Sequence, residues 1–170
     1  QTASVGLKSG NAIVGDYTLS ESGTRDATLS EEFRNQTLSV TLTQSDGASH
    51  TLAEVGNAVA ATSDSTRVTT TSGSLDRRER NQSLSLTIGQ TSGATTTLVR
   101  SGVNAIVGGY TLQETSVSGS TRYEDAVNQT QGVTLTVRSA STSAQSTTGN
   151  SQTGDYTLTG TSGSETTSTA

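Results

Sequence analysis

The sequence predicts an all-β protein made of tandem units of 46 to 47 residues. Each unit is expected to hold about four short strands, and the units to join in a linear, fibre-like array. Three observations predict this. Every asparagine falls at one of two phases of a single repeat: Asn11, Asn57, Asn104 and Asn150 are spaced 46, 47 and 46 apart, and Asn35, Asn81 and Asn128 are spaced 46 and 47. Apolar residues alternate with hydroxyl residues at period two, the mark of strands with one covered face. No stretch sustains a 3.6-residue period, the one helix-compatible piece, residues 52–61, being interrupted by Gly56.

The repeat sets the domain boundaries. Its head reads GNAIVGDYTL in residues 10–19, GVNAIVGGYTL in 102–112 and GNSQTGDYTL in 149–158, with a weaker copy, GNAVAATSDST, in 56–66. The chain therefore divides into the tail of a preceding unit (1–9), three units (10–55, 56–101 and 102–148) and the first half of another (149–170). Because the window opens and closes inside a unit, a head-to-tail assembly or a longer tandem array is expected.

Within a unit the elements follow in order. Gly10, Gly56, Gly102 and Gly149, each ahead of its asparagine, are assigned to a turn that needs permissive φ. Tyr17/Leu19 and Ala27/Leu29 alternate on either side of Ser22-Gly23. Asn35, Asn81 and Asn128 then open NQTLSVTL, NQSLSLTI and NQTQGVTL, in which Leu38/Val40/Leu42, Leu84/Leu86/Ile88 and Val133/Leu135/Val137 keep one parity. Asp46-Gly47 and Ser92-Gly93 follow and read as hairpin turns. Units of this length fit a chain of small β-sandwiches, a solenoid or, as an alternative, propeller-like blades, although propeller signatures are missing.

Composition narrows the function. Ser and Thr fill 61 of 170 positions, while Leu, Ile, Val and Phe supply 30, too few for a thick core. Threonine suits such a sheet, its branched Cβ favouring extended chain and its hydroxyl tolerating water. The chain has no Cys and a single histidine, His50, which excludes disulfides, thiolate zinc and histidine clusters. No apolar run approaches the ~20 residues of a spanning helix. One lysine, Lys8, nine arginines and a net charge of −5 argue against nucleic acid. No cofactor and no catalytic activity are expected: His50 has Asp46 and Ser49 nearby, but no other unit repeats the trio. The Arg77-Arg78-Arg80 cluster reads as a loop paired with Asp76 and Glu79.

Asn35, Asn81 and Asn128 each begin an Asn-x-Ser/Thr sequon and are the glycosylation candidates. With so many hydroxyls a few such triplets arise at random, so the common phase is the informative part. The alternative is a structural asparagine that caps a turn or accepts the left-handed conformation. The other series, Asn11, Asn57, Asn104 and Asn150, has no sequon and is assigned to turns.

The GNxxxGDYTL heads and TxT-rich strands, with Tyr17-Thr18-Leu19, Tyr110-Thr111-Leu112 and Tyr156-Thr157-Leu158, resemble the Thr/Ser/Gly-rich tandem repeats of giant planctomycete-like bacterial surface and fibre proteins. The second unit departs from the pattern, with Ser63 where Tyr is expected. The resemblance implies an extracellular or cell-surface location and a structural or adhesive role. The expected function is a structural subunit or segment of an extracellular, glycosylated filament, its partners being copies of itself. The alternative is an adhesin or carbohydrate-binding module, against which the small aromatic inventory weighs.

Overall fold

A computed structural model describes all of residues 1–170. It contains eight strands and no helix: β1 (Thr2–Gly10), β2 (Asp16–Arg34), β3 (Leu38–Asn57), β4 (Thr62–Asn81), β5 (Leu84–Asn104), β6 (Gly109–Asn128), β7 (Gln131–Asn150) and β8 (Tyr156–Thr169). They form one open antiparallel sheet in chain order. No hydrophobic side chain is buried. In place of a core the chain makes 129 backbone hydrogen bonds, a larger share per residue than the roughly two-thirds of about one bond per residue usual in folded domains.

Each repeat length holds two long strands rather than four short ones, with β2 to β7 running 19 to 21 residues. Ser22-Gly23, Asp46-Gly47 and Ser92-Gly93 lie inside β2, β3 and β5 and are not turns. Side-chain parity gives the reason. A two-residue hairpin loop swaps the parity of the inward set, as happens between Phe33 and Val40, which face each other across the loop at Asn35. Across Asp46-Gly47 parity is kept, Leu42 and Leu52 both falling on even positions, so a turn there would send one of them to the opposite face.

Residues directly opposite in an antiparallel ladder share a face. One face thus collects most of the apolar side chains in two bands. Phe33, Val40, Leu42, Leu86, Ile88 and Leu135 lie toward the Asn-Gln loops, and Leu19, Leu52, Leu98 and Leu112 toward the opposite turns. Small residues such as Gly73, Ser92, Ser118 and Ser141 separate the bands. The other face is mainly threonine and serine, with hydroxyl contacts between Ser45 and Ser74 (2.7 Å) and between Thr70 and Thr95 (3.5 Å).

The 47-residue spacings have one cause. Asp64 of β4 opposes both Ser101 and Gly102 of β5, so β5 carries one extra residue at a bulge. Gly102 takes φ +62°, and its N–H donates to Asp64 Oδ1 at 2.7 Å. Both intervals of 47, Asn57 to Asn104 and Asn81 to Asn128, span this bulge.

Candidate functional site

The two asparagine phases become two opposite edges of the sheet, at the two ends of its strands. At one edge the β1–β2, β3–β4, β5–β6 and β7–β8 turns lie side by side, joined by backbone bonds from Ala58 N–H to Gly15 O (2.7 Å), Ala105 N–H to Ala61 O (2.9 Å) and Ser151 N–H to Gly108 O (2.7 Å). Each asparagine organises its own turn by accepting through Oδ1: Asn11 from Ile13 (2.9 Å), Asn57 from Ala60 (2.8 Å), Asn104 from Ile106 (2.9 Å) and Asn150 from Gln152 (2.8 Å). Two of them also reach the preceding turn, the Asn57 amide donating to Val14 O and Asp16 Oδ1 at 2.9 and 2.6 Å and the Asn150 amide to Val107 O at 2.9 Å. Asn57 and Asn150 therefore serve both as Asx turns and as ties between units, whereas Asn11 and Asn104 organise only their own turns.

The glycines ahead of these asparagines differ from expectation. Gly102 has positive φ, but Gly10, Gly56 and Gly149 do not; the other left-handed residues of this edge are Gly15 (+81°), Ala61 (+51°), Gly108 (+79°) and Gly154 (+80°). Gly56 and Gly149 are needed for space. A Cβ on Gly56 would stand 2.7 Å from Cζ and Oη of Tyr17 and 2.5 Å from Thr62 O, and one on Gly149 would stand 2.8 Å from Tyr110 Oη. A Cβ on Gly10 would meet Asp16 O at 2.6 Å. The Tyr17 and Tyr110 rings thus lie over the glycine of the next strand, and the His50 ring lies over Gly23 of the preceding strand. Gly15, Gly108 and Gly154, which the sequence reading passed over, carry their own signal, since they recur at the repeat phase with Ala61 standing in for one of them.

Tyr17 Oη donates to Glu54 Oε1 at 2.6 Å, and this bond, with some desolvation, raises the phenol above its ordinary value. The Lys8 ammonium sits 5.0 Å from the centre of the same ring, within cation–π range. With Tyr17 and Tyr110 lying over glycines, Tyr156, 68% exposed, is the tyrosine of this row most open to solvent.

The opposite edge carries the sequons. Gln82-Ser83 and Gln129-Thr130 are two-residue loops between the pairs Asn81/Leu84 and Asn128/Gln131, and Gln129 N–H donates to Ser83 O at 3.1 Å, tying one loop to the next. The left-handed residues here are Gln82 (+43°) and Gln129 (+54°), not the asparagines. Asn35, Asn81 and Asn128 are all exposed, as are the residues that complete their sequons, Thr37, Ser83 and Thr130. The edges contrast in chemistry, for the first displays Ile13 (90% exposed), Val59 (70%) and Ile106 (66%).

The remaining candidates disperse. His50 Nε2 lies 3.3 Å from Glu21 Oε1, while Ser49, its chain neighbour, points to the other face and Asp46 Oδ2 accepts from Gln44 at 2.9 Å. Arg77, Arg78 and Arg80 lie on strand β4 rather than in a loop, with Arg77 paired to Glu79 (2.9 Å) on the apolar face and Arg78 to Asp76 (3.1 Å) on the threonine face. No group of three acidic or histidine side chains converges as a metal site, and no helix is long and apolar enough to cross a membrane. No protein-family model matches the chain, and no curated protein matches it.

Proposed function

We infer that the chain is a structural segment of an extracellular filament, in which hairpin units add along the strand-stacking direction and copies of the chain, or further units, join head to tail. The supporting observation is the tie between successive turns along the edge of Asn11, Asn57, Asn104 and Asn150, made by residues that recur at the repeat spacing, with one further tie between loops at the sequon edge. Such an array advances by two strand spacings per unit, about 9.5 Å, and has no inherent stopping point. The role is mechanical: length, hydration through the hydroxyl face and a surface without thiols or thioethers to oxidise. N-linked glycans on Asn35, Asn81 and Asn128 would stand in a line along the polar edge, clear of the ladder bonds. The fibre is favoured over a sugar-binding adhesin because the Tyr17 and Tyr110 rings lie over glycines and do not form a free stacking platform.

Negative-stain microscopy and fibre diffraction of native material test this reading. Filaments whose meridional spacing is about 4.7–4.8 Å, with strands across the axis, are expected. Dispersed particles that bind glycans would overturn it. Intact mass of the same material tests the sugars, and bare Asn35, Asn81 and Asn128 would remove that part.

A further inference from the structure

The apolar face carries a pattern that an isolated sheet does not use. Along one row of opposed residues, from β3 to β7, it reads Leu42, Arg77, Ile88, Glu124, Leu135. The row is symmetric about β5 in size and polarity and antisymmetric in charge. A second row, nearer the other edge, repeats the motif with Leu52, Arg67, Leu98, Glu114 and Gln145. The neighbouring row places Val40 and Val133 at equal distances from Leu86. A surface of this kind is complementary to itself under a two-fold axis lying along β5.

We propose that two copies of this chain pack apolar face to apolar face about that axis, β5 on β5, forming a two-layered sheet. Leu84, Leu86, Ile88 and Leu98 of β5 then meet their own copies. Val40 and Leu42 meet Val133 and Leu135 of the partner subunit, and Arg67 and Arg77 meet Glu114 and Glu124 of the partner subunit. Val133 is 63% exposed and Phe33 57%, and an open depression of about 510 Å³ beside Phe33, Val40, Leu42, Leu75 and Ile88 can receive partner side chains. Sheets stacked this way sit about 10 Å apart, within the combined reach of Arg and Glu. The axis sets one like-charged pair together, Arg100 on its copy, at an exposed position from which the guanidinium can turn to solvent. This pairing uses the sheet's face and does not depend on growth along the stacking direction.

Sedimentation equilibrium of the full chain and its charge variants tests the proposal. The unaltered chain is expected to dimerise. R67E/R77E should weaken the dimer at least tenfold. R78E/R80E, which makes the same change in net charge on the threonine face, should leave it intact. R67E/R77E/E114R/E124R, which exchanges the signs, should restore it. In the dimer, maleimide should label Leu86→Cys slowly and Thr87→Cys quickly, and Arg100→Leu should tighten association. A monomer at all concentrations, an equal loss in R78E/R80E, or failure of the exchanged variant to recover would overturn the proposal. Equal labelling of the two cysteines in an associated species would also overturn it, because that result belongs to edge-to-edge growth. Filaments that persist while the exchanged variant fails would leave the fibre reading standing and remove only the face pairing.

Discussion

Replacing Gly56 by alanine tests the claim that rings lie over glycines and thereby help hold this sheet together. An added Cβ would be 2.7 Å from the Tyr17 ring and 2.5 Å from Thr62 O, closer than carbon tolerates, so the ring must swing away and release Glu54. Overpacking of this kind costs about 1–3 kcal/mol, and the lost hydrogen bond adds about 1 kcal/mol. Against this, alanine lowers the entropy of the unfolded chain, worth about 0.5–1 kcal/mol. The net expectation is a loss of about 1–3 kcal/mol. Gly89 supplies the control: it too lies within a strand, its φ is not positive, and no atom lies within 4 Å of where its Cβ would be. Gly89→Ala should therefore gain about 0.5–1 kcal/mol. Urea unfolding followed by circular dichroism measures both, and with slopes of about 1–3 kcal/mol/M the two midpoints should separate by about 1 M. Removing the ring with Tyr17→Ala should shrink the Gly56→Ala penalty, since the two residues share a contact. If Gly56→Ala and Gly89→Ala move the midpoint in the same direction by similar amounts, the reasoning fails.

The loops and the turn ties make further predictions. Gln82→Gly and Gln129→Gly, which relieve left-handed backbone and preserve both sequons, should each raise stability by up to about 1 kcal/mol in the same unfolding assay. Asn57→Ala removes bonds to Val14 O, Asp16 Oδ1 and Ala60 N–H; it should cost about 1–3 kcal/mol and accelerate amide exchange at Ala58 and Ala60 while leaving the sequon edge protected. Tyr17 should ionise at higher pH than an ordinary phenol. Because its folded value is raised, its stabilising contribution is complete below pH 10 and is lost as pH climbs through the raised value. Ultraviolet titration should show Tyr17 ionising late, and Glu54→Ala should bring it back toward 10.

The sequence was most legible where chemistry repeats. The seven asparagines coincide with the seven turns of the structure, and period two identified strands with one apolar side. The strand count was misread because Asp46-Gly47 resembles a hairpin loop by composition. The continuous parity from Leu42 to Leu52 carries the opposite message, and it outranks a dipeptide because a turn there would expose one of the two leucines on the wrong face. The role of Gly56 and Gly149 was not legible for a different reason: their need is for space, and the ring that fills it comes from the previous strand, some 39 residues earlier. The bulge was within reach, since GVNAIVGG has one residue more than GNAIVGD.

The repeats also disagree in charge, and magnitude decides what that disagreement serves on the apolar face. Equivalent positions alternate in sign, as Glu31, Arg77 and Glu124 and again as Glu21, Arg67 and Glu114. Successive members stand two strands apart, about 9.5 Å. At that distance in water, unit charges interact by about 0.4 kcal/mol, and physiological salt, with a Debye length of about 8 Å, screens most of it. Moreover, Arg77 and Glu124 each already hold a nearer partner, Glu79 at 2.9 Å and Arg122 at 3.0 Å. Within a single layer the alternation therefore contributes next to nothing. Against a second apolar face water is thinned, the effective dielectric falls and a wrongly matched charge becomes costly. A sign pattern that is nearly inert in one layer and decisive between two fits a sheet whose missing core is supplied by a second sheet.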